Sequence, residues 1–341
     1  MKKSLMTLGV LALFVLMAYG QEKKFALYSV AFYNMENLFD TIHDEGKNDY
    51  EYLPNGTNQW NTMKYKAKLK NMSEILSLLS TDKLPMGPAI IGVSEIENYR
   101  VLEDILKQPA LADRGYQYVH YEGEDQRGVD CAFFYNPKLF ELTNSKLVPY
   151  VYINDTIHKT RGFLIASGNI AGEKMHFIVN HWPSRAAASP VRERAGEQVR
   201  AIKDSLLRED SAAKIVIMGD MNDDPMDKSM AVALGAKRKP ADVGPTDLYN
   251  PWWDTLKKGY GTLMYKGKWN LFDQIVFTGN LLGTDRSTLK FYKHEIFRRD
   301  FMFQKEGKYK GYPKRTQAGG VWLNGYSDHL PTIIYLIKEV K

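Results

Sequence analysis

Short runs rich in Val, Ile, Leu and Phe recur along the chain, separated by stretches whose apolar residues fall at helical spacing. The runs at 25–33, 88–94, 129–135, 162–168, 174–180, 213–218, 271–277 and 332–337 predict strands, several apolar enough to be buried ones. Further strands are expected near 116–121, 146–152 and 286–292. Helical spacing predicts helices at 61–80 and near 99–109, and a basic amphipathic helix over 190–208 that opens at Pro190. No Gly/Ser linker, low-complexity tract or internal repeat divides the chain, so residues 21–341 read as one domain of mixed α/β type. The segments 40–60 and 294–326 are rich in Gly, Asn, Tyr and Lys and are expected to form long surface loops. Loops of that length in a compact domain often serve an active site.

The ends of the apolar runs carry the chemistry. Asn34 closes SVAFYN, Glu95 follows AIIGVS, Asn180 and His181 close MHFIVNH, Asp220 and Asn222 sit in IVIMGDMNDDP, and Asp328 and His329 stand in GYSDHLP. Each admits a structural reading. Asn34 can satisfy a strand end, Glu95 can cap the next helix, and His181 beside Trp182 can be a hydrogen-bonded core residue. The Asp/Asn run can be a turn, and Asp328–His329 a local ion pair. Their recurrence at equivalent positions argues against all of these at once. Their types also complement one another: carboxylates suit a hard divalent cation, and amides and imidazoles suit phosphate oxygens and proton transfer.

The first residues stand apart. Lys2 and Lys3 precede an apolar stretch from Leu5 to Ala18, and Ala18 and Gly20 are small residues at the positions a signal peptidase reads. Residues 1–20 are therefore expected to be a signal peptide cleaved after Gly20, giving a periplasmic or secreted protein without a stable membrane anchor. The formal charge of +6 falls by two to +4 on that cleavage, a mild basic excess that suits an anionic substrate. The single cysteine, Cys131, excludes an intramolecular disulfide and a cysteine-based zinc site.

The ordered set NMEN, SEIEN, NHWPSR, GDMND, FDQI and SDH, spread over about residues 25 to 338, resembles the endonuclease/exonuclease/phosphatase superfamily that includes deoxyribonuclease I. The resemblance implies an α/β (α+β) fold of two packed mixed β-sheets flanked by helices, the four-layer deoxyribonuclease I-like sandwich, with its site at one rim. It implies metal binding by Glu95, Asp328 and Asn34, with Mg²⁺ or Mn²⁺ as the cofactor, although Ser94 stands where the family usually has Gln. It assigns catalysis to His181, Asp220, Asn222, Asp273 and His329, with Asp273 holding the His329 tautomer, and implies phosphate contacts from Asn180. Arg185, just after the histidine motif, and Arg127, in QRGVDCAFFY beside Asp130, are further substrate-binding candidates.

The implied activity is an exported divalent-metal-dependent phosphodiesterase, read foremost as a nuclease acting on DNA or RNA, with nucleic acid as partner and the protein a monomer. A phosphoesterase for phospholipid or sugar phosphate is the alternative, against which no exposed apolar loop is evident. Tyr249, Trp252, Trp253 and Trp269 are offered as base-stacking aromatics or as loop packing, and Lys266 and Lys268 as phosphate contacts. Two other classes fit less. The run Gly92–Ile96 comes within one glycine of a serine-hydrolase elbow but leaves the Asp and His clusters unexplained. A binding-only protein would not need both histidines.

Overall fold

The computed structural model describes residues 23–155 and 157–340. The predicted leader and its cleavage point lie outside the described residues. In chain order the strands are β1 (Lys24–Leu38), β2 (Ile90–Ile96), β3 (Gln117–His120), β4 (Asp130–Tyr135), β5 (Phe140–Val148), β6 (Phe163–Ile170), β7 (Glu173–His181), β8 (Lys214–Asp220), β9 (Ala236–Lys237), β10 (Leu248–Tyr249), β11 (Leu263–Tyr265), β12 (Lys268–Asn270), β13 (Asp273–Thr278), β14 (Lys290–Ile296), β15 (Gln317–Ala318), β16 (Val321–Trp322) and β17 (Thr332–Val340). The helices are α1 (Thr62–Leu78), α2 (Tyr99–Leu106), α3 (Ser189–Glu209) and α4 (Trp253–Lys257). One sheet has the order β14-β17-β1-β2-β4-β3 and the other β5-β6-β7-β8-β13-β10-β9; β11–β12 and β15–β16 are separate hairpins.

Alternation along the strands builds the layers. On β1, Val30 and Phe32 face between the sheets, against Val179, Met218 and Ile275. Ala31 and Tyr33 face the other way and pack on Leu69 and Met72 of α1 and Val101 of α2. On the far side Ile178, Ile215, Ile217 and Val276 pack against Ala195 and Val199 of α3. Helices, sheet, sheet and helix make four layers, and both sheets are mixed, as expected. The central strands are covered on both faces, so they read as unbroken apolar runs. The sheets approach closely at Gly92, where a Cβ would meet the Met218 sulfur at 2.6 Å. Asn61 and Asn98 cap α1 and α2 by accepting from backbone N–H groups of the first turn.

Two sequence expectations shift. The strand expected at 146–152 lies at 140–148, an outer strand whose exposed Glu141, Thr143 and Asn144 dilute the apolar signal. No exposed apolar loop was evident from sequence, yet Val151, Ile153 and Ile157 between β5 and β6 are 57%, 65% and 79% exposed. Among the described residues no helix is long and apolar enough to cross a membrane.

Candidate active site

Strand register brings the motif residues to one rim. Parallel pairing of β7 with β8 sets His181 beside Asp220, and antiparallel pairing of β8 with β13 sets Asp220 beside Asp273. Gly219 is required there, because a Cβ would meet the main-chain oxygen of Asn180 at 2.3 Å. In the other sheet β1 pairs Asn34 with Ser94 of β2, and both strands then bulge. Glu95 sits in the bulge at φ 58°, a left-handed conformation disfavoured for a side chain with a Cβ. The bulge turns Glu95 off the sheet and over the rim. The chain before β17 adds Asp328 and His329.

Asn34 is the bridge. Its buried amide donates to Glu95 Oε1 at 3.0 Å and to Asp220 Oδ2 at 3.0 Å, while its Oδ1 accepts from Glu36 N at 2.8 Å. The backbone N–H of Asn37 holds the second Glu95 oxygen at 3.0 Å. His181 Nε2 stands 3.6 Å from Glu95 Oε1 and 3.8 Å from Asp220 Oδ2, and His329 Nε2 approaches the same Asp220 oxygen at 3.8 Å. Ligand atoms of Glu95, His181 and Asp220 lie within 4.8 Å of one another, as do those of Asp220, Asp273 and His329.

The two imidazoles are charged differently. Burial holds His181 well below the usual histidine range, reinforced by Arg161, Arg127 and His329. Burial would also depress His329, but the Asp273 and Asp220 carboxylates and a 2.7 Å hydrogen bond from Nδ1 to Asp273 Oδ2 raise it well above that range. Burial pushes Asp220 up to about 7; His329 opposes this, and Asp273 and Glu95 add to it. Its other oxygen accepts from the Asn222 N–H at 2.9 Å.

The cluster fits a divalent cation. Two carboxylates and an imidazole converge, and only the neutral Asn34 amide stands between the carboxylates. His181 Nδ1 and Asp273 Oδ1 are buried with no protein partner. The donor set, mostly oxygen, suits a hard ion.

Other predicted residues lie differently. Asp328 pairs with Arg315 Nη2 at 3.0 Å and stands 4.0 Å from His329, outside the Glu95 group. Asn180 turns away from the rim: its amide donates to the main-chain oxygens of Ile178 and Met218 at 3.0 and 3.1 Å. The Trp182 indole donates to its remaining oxygen at 3.3 Å. Arg185 is held by Asp223, Asp224 and Asp227 and covers Phe272, so the acidic turn that follows the Gly-Asp motif neutralises it. Asn222 donates its side-chain amide to Trp182 O at 3.0 Å. Arg127, half exposed, stands 3.8 Å from Asp125 and near enough to lower His181. Asp130 bonds His120 and the Gly123 N–H instead of the central cluster. Trp252 is buried and donates to Ile275 O, so it packs the core.

Sequence reasoning missed three charged groups. Arg161 is buried between Asp125 and Trp182 O. Arg315 donates to Glu36 Oε1 at 2.8 Å as well as pairing with Asp328. Lys68 is fully buried and donates to Thr316 Oγ1 and Tyr326 O, 4.0 Å from Glu36. Lys68 was legible, because it falls on the apolar stripe of α1 with Tyr65, Leu69 and Met72.

Residues 29–338 match the Endonuclease/Exonuclease/phosphatase family. The chain belongs to that family. It is accordingly a metal-dependent hydrolase of phosphoester bonds. Solved structures agree on the fold. An endonuclease/exonuclease/phosphatase family protein from Bacteroides thetaiotaomicron aligns with TM-score 0.58 and 14% identity over 93% of this chain and 97% of its own. The mannosyl-6-phosphatase of the same organism aligns with TM-score 0.56 and 14% identity over 91% and 99%. D. rerio TDP2 complexed with single-strand DNA product aligns with TM-score 0.52 and 14% identity over 91% and 99%. No curated protein matches the chain in sequence.

Proposed function

We propose that this family member is an exported nuclease, hydrolysing phosphodiesters of DNA or RNA with Mg²⁺ or Mn²⁺. The observation that carries the choice of a polyanionic substrate is the cluster of lysines beside the site. Lys266 and Lys308 line the groove that holds Arg315 and Asp328, and Lys268, Lys305, Lys310 and Lys314 lie close to them in sequence. Among the described residues none of them has a carboxylate within 4.0 Å, whereas many other basic side chains do. Unpaired ammonium groups of that density repel one another unless a chain of phosphates neutralises them.

Glu95 and Asp220, with His181 beside them, would hold the divalent ion, which would supply Lewis-acid polarisation of a phosphoryl oxygen. The protein's own groups do the rest. Asp273 accepts from Nδ1–H of His329, which leaves the Nε2–H of the charged ring facing the cluster as a donor to a phosphate oxygen. The backbone N–H of Asn222 fixes one oxygen of Asp220 and leaves the other toward His181 and His329, where it can orient an attacking water. Neutral His181 can accept a proton. Arg127 adds positive charge at the edge.

A second reading, a phospholipid phosphodiesterase, is favoured by the exposed Val151, Ile153 and Ile157, which a lipid surface would cover. The mannosyl-6-phosphatase likeness points to sugar phosphates, which carry a single phosphate where the groove offers Lys266, Lys308 and Arg315. The test is a metal-supplemented panel of single- and double-stranded DNA, RNA, sphingomyelin vesicles and sugar phosphates, followed by a salt titration. A nuclease gives a log–log salt slope of about −0.7 to −0.9 per contacted phosphate. Turnover of lipid or sugar phosphate without nucleic-acid cleavage would reject the nuclease reading and leave the metal cluster standing.

A further inference from the structure

Beside the catalytic rim runs a groove of about 820 Å³, lined by residues 263–266 of the β11–β12 hairpin and by the segment 304–315, with Asp328 and Arg315 reaching it from the rim and Glu306 its other carboxylate. Two of its aromatic residues, Tyr265 and Tyr309, are 63% and 51% exposed. The Lys266 ammonium stands 5.2 Å from the centre of the Tyr265 ring and the Lys308 ammonium 5.6 Å from that of Tyr309. The Tyr309 and Tyr312 rings meet at 5.4 Å and 74°.

Both walls are fixed. Lys266 and Gly267 take φ 48° and 78°, the positive pair that a two-residue hairpin turn demands. The Gly267 N–H donates to the Tyr312 hydroxyl at 2.6 Å, so the turn on one wall is tied to a ring on the other. The Tyr265 and Tyr309 rings are thus presented to solvent on a braced frame, Tyr309 with one edge against Tyr312.

We propose that this groove binds an unpaired nucleic-acid strand, its bases stacking on Tyr265, Tyr309 and Tyr312 and its phosphates running past Lys266 and Lys308 toward Arg315. This rests on the nuclease reading and adds the strandedness of the substrate and the residues that select it. Exposed rings flanked by cations are sequence-tolerant stacking platforms, because every base offers a π-face. The bases of a duplex are already stacked inside and present no such face. The volume falls in the upper part of the range for small-molecule sites, so the groove takes a short length of strand and not the width of a duplex.

The test compares Tyr265→Ala, Tyr309→Ala and the double variant with wild type, using a single-stranded oligonucleotide and its duplex. Tyr265→Phe and Tyr309→Phe, which keep the ring at these exposed positions, control for loss of folding. KM for the single strand should rise about 5- to 150-fold for each stacked base lost. Anisotropy of a labelled single strand in chelator should show the same loss of affinity, and both Phe variants should bind like wild type. Tyr292→Ala, an exposed tyrosine on the distant strand β14, should leave KM unchanged. A wild-type enzyme that cleaves nucleic acid but whose Ala variants bind single strands normally, or lose duplex and single strand equally, overturns the groove assignment alone. A wild-type enzyme that cleaves no nucleic acid overturns the nuclease reading, and this assignment with it.

Discussion

Asn34 joins the two sheets chemically, since its one amide donates to a carboxylate from each. That arrangement gives it a distinct signature. Asn34→Asp exchanges the shared donor for a third carboxylate, so the metal-free protein should lose stability through like-charge repulsion in a buried site. Mg²⁺ or Mn²⁺ should then raise the Tm of the variant more than that of wild type; equal shifts would remove Asn34 from the ion's surroundings. Glu95→Gln keeps the size and drops the charge, so activity should fall by orders of magnitude while circular dichroism stays native. Chelator should silence the wild type, and full turnover in excess chelator would end the metal assignment. His181→Ala and His329→Ala should each cost about 10²- to 10⁴-fold in kcat, the usual contribution of an acid or base group. A His181→Ala protein that is destabilised but fully active would make that ring structural.

Much of this centre was legible because polar residues closed apolar runs. Asn34, Glu95, His181, Asp220 and His329 were found that way, Asp273 came from the resemblance alone, and the six converge. Asn180 carried the same signal, and its inward turn was not readable, because the carbonyls it satisfies belong to its own strand and to β8. Arg185 looked free only while its acidic partners, some 40 residues on, were considered apart from it. Arg161 and Arg315 lie in loops without periodicity, so nothing in the sequence marked them.

At the scale of elements, the central strands were legible because they are buried on both faces. The two-residue strands β9 and β10 were not, since a pair of residues has no period. β1 runs past Asn34 to Leu38, because its bulge keeps the strand in the sheet after the polar residue that seemed to end it. The packing of α4 on β14 yields a prediction remote from catalysis. His294 of β14 bonds Thr255 of α4 at 2.9 Å and stacks edge-on to Trp252. Burial, aided by Lys258, lowers its pKa from 6.5 to about 4. The unfolded chain therefore binds the extra proton between those values, and stability should fall as pH drops from 6.5 toward 4, by at most about 1.4 kcal/mol per pH unit. His294→Gln should flatten that limb of a Tm–pH curve without changing kcat at neutral pH. An unchanged acid limb would show that His294 is not the group responsible.

The whole molecule begins at its sheet. β1 opens at Lys24, which pairs with Val340 near the end of β17, and Lys23 bridges to Glu339 at 2.8 Å. The two ends of the fold are thus zipped together only a few residues after Gly20. If residues 1–20 are the leader we propose, a peptidase acting on the finished domain would have to work against that zipped edge, so cleavage is expected during translocation, before β1 and β17 pair. Export would also bring the chain into oxidising surroundings, where its lone cysteine has no partner in the chain. Cys131 is buried, and burial pushes its thiol well above the ordinary range, so it is protected from oxidation as well. Two results should therefore coincide. Intact mass of protein recovered from the periplasm or medium should correspond to a chain starting at Gln21, and its Tm should be the same with and without reductant. A mass that includes Met1 in that fraction would refute the cleavage, and a Tm lowered by reductant would reveal a disulfide between chains that this fold does not anticipate.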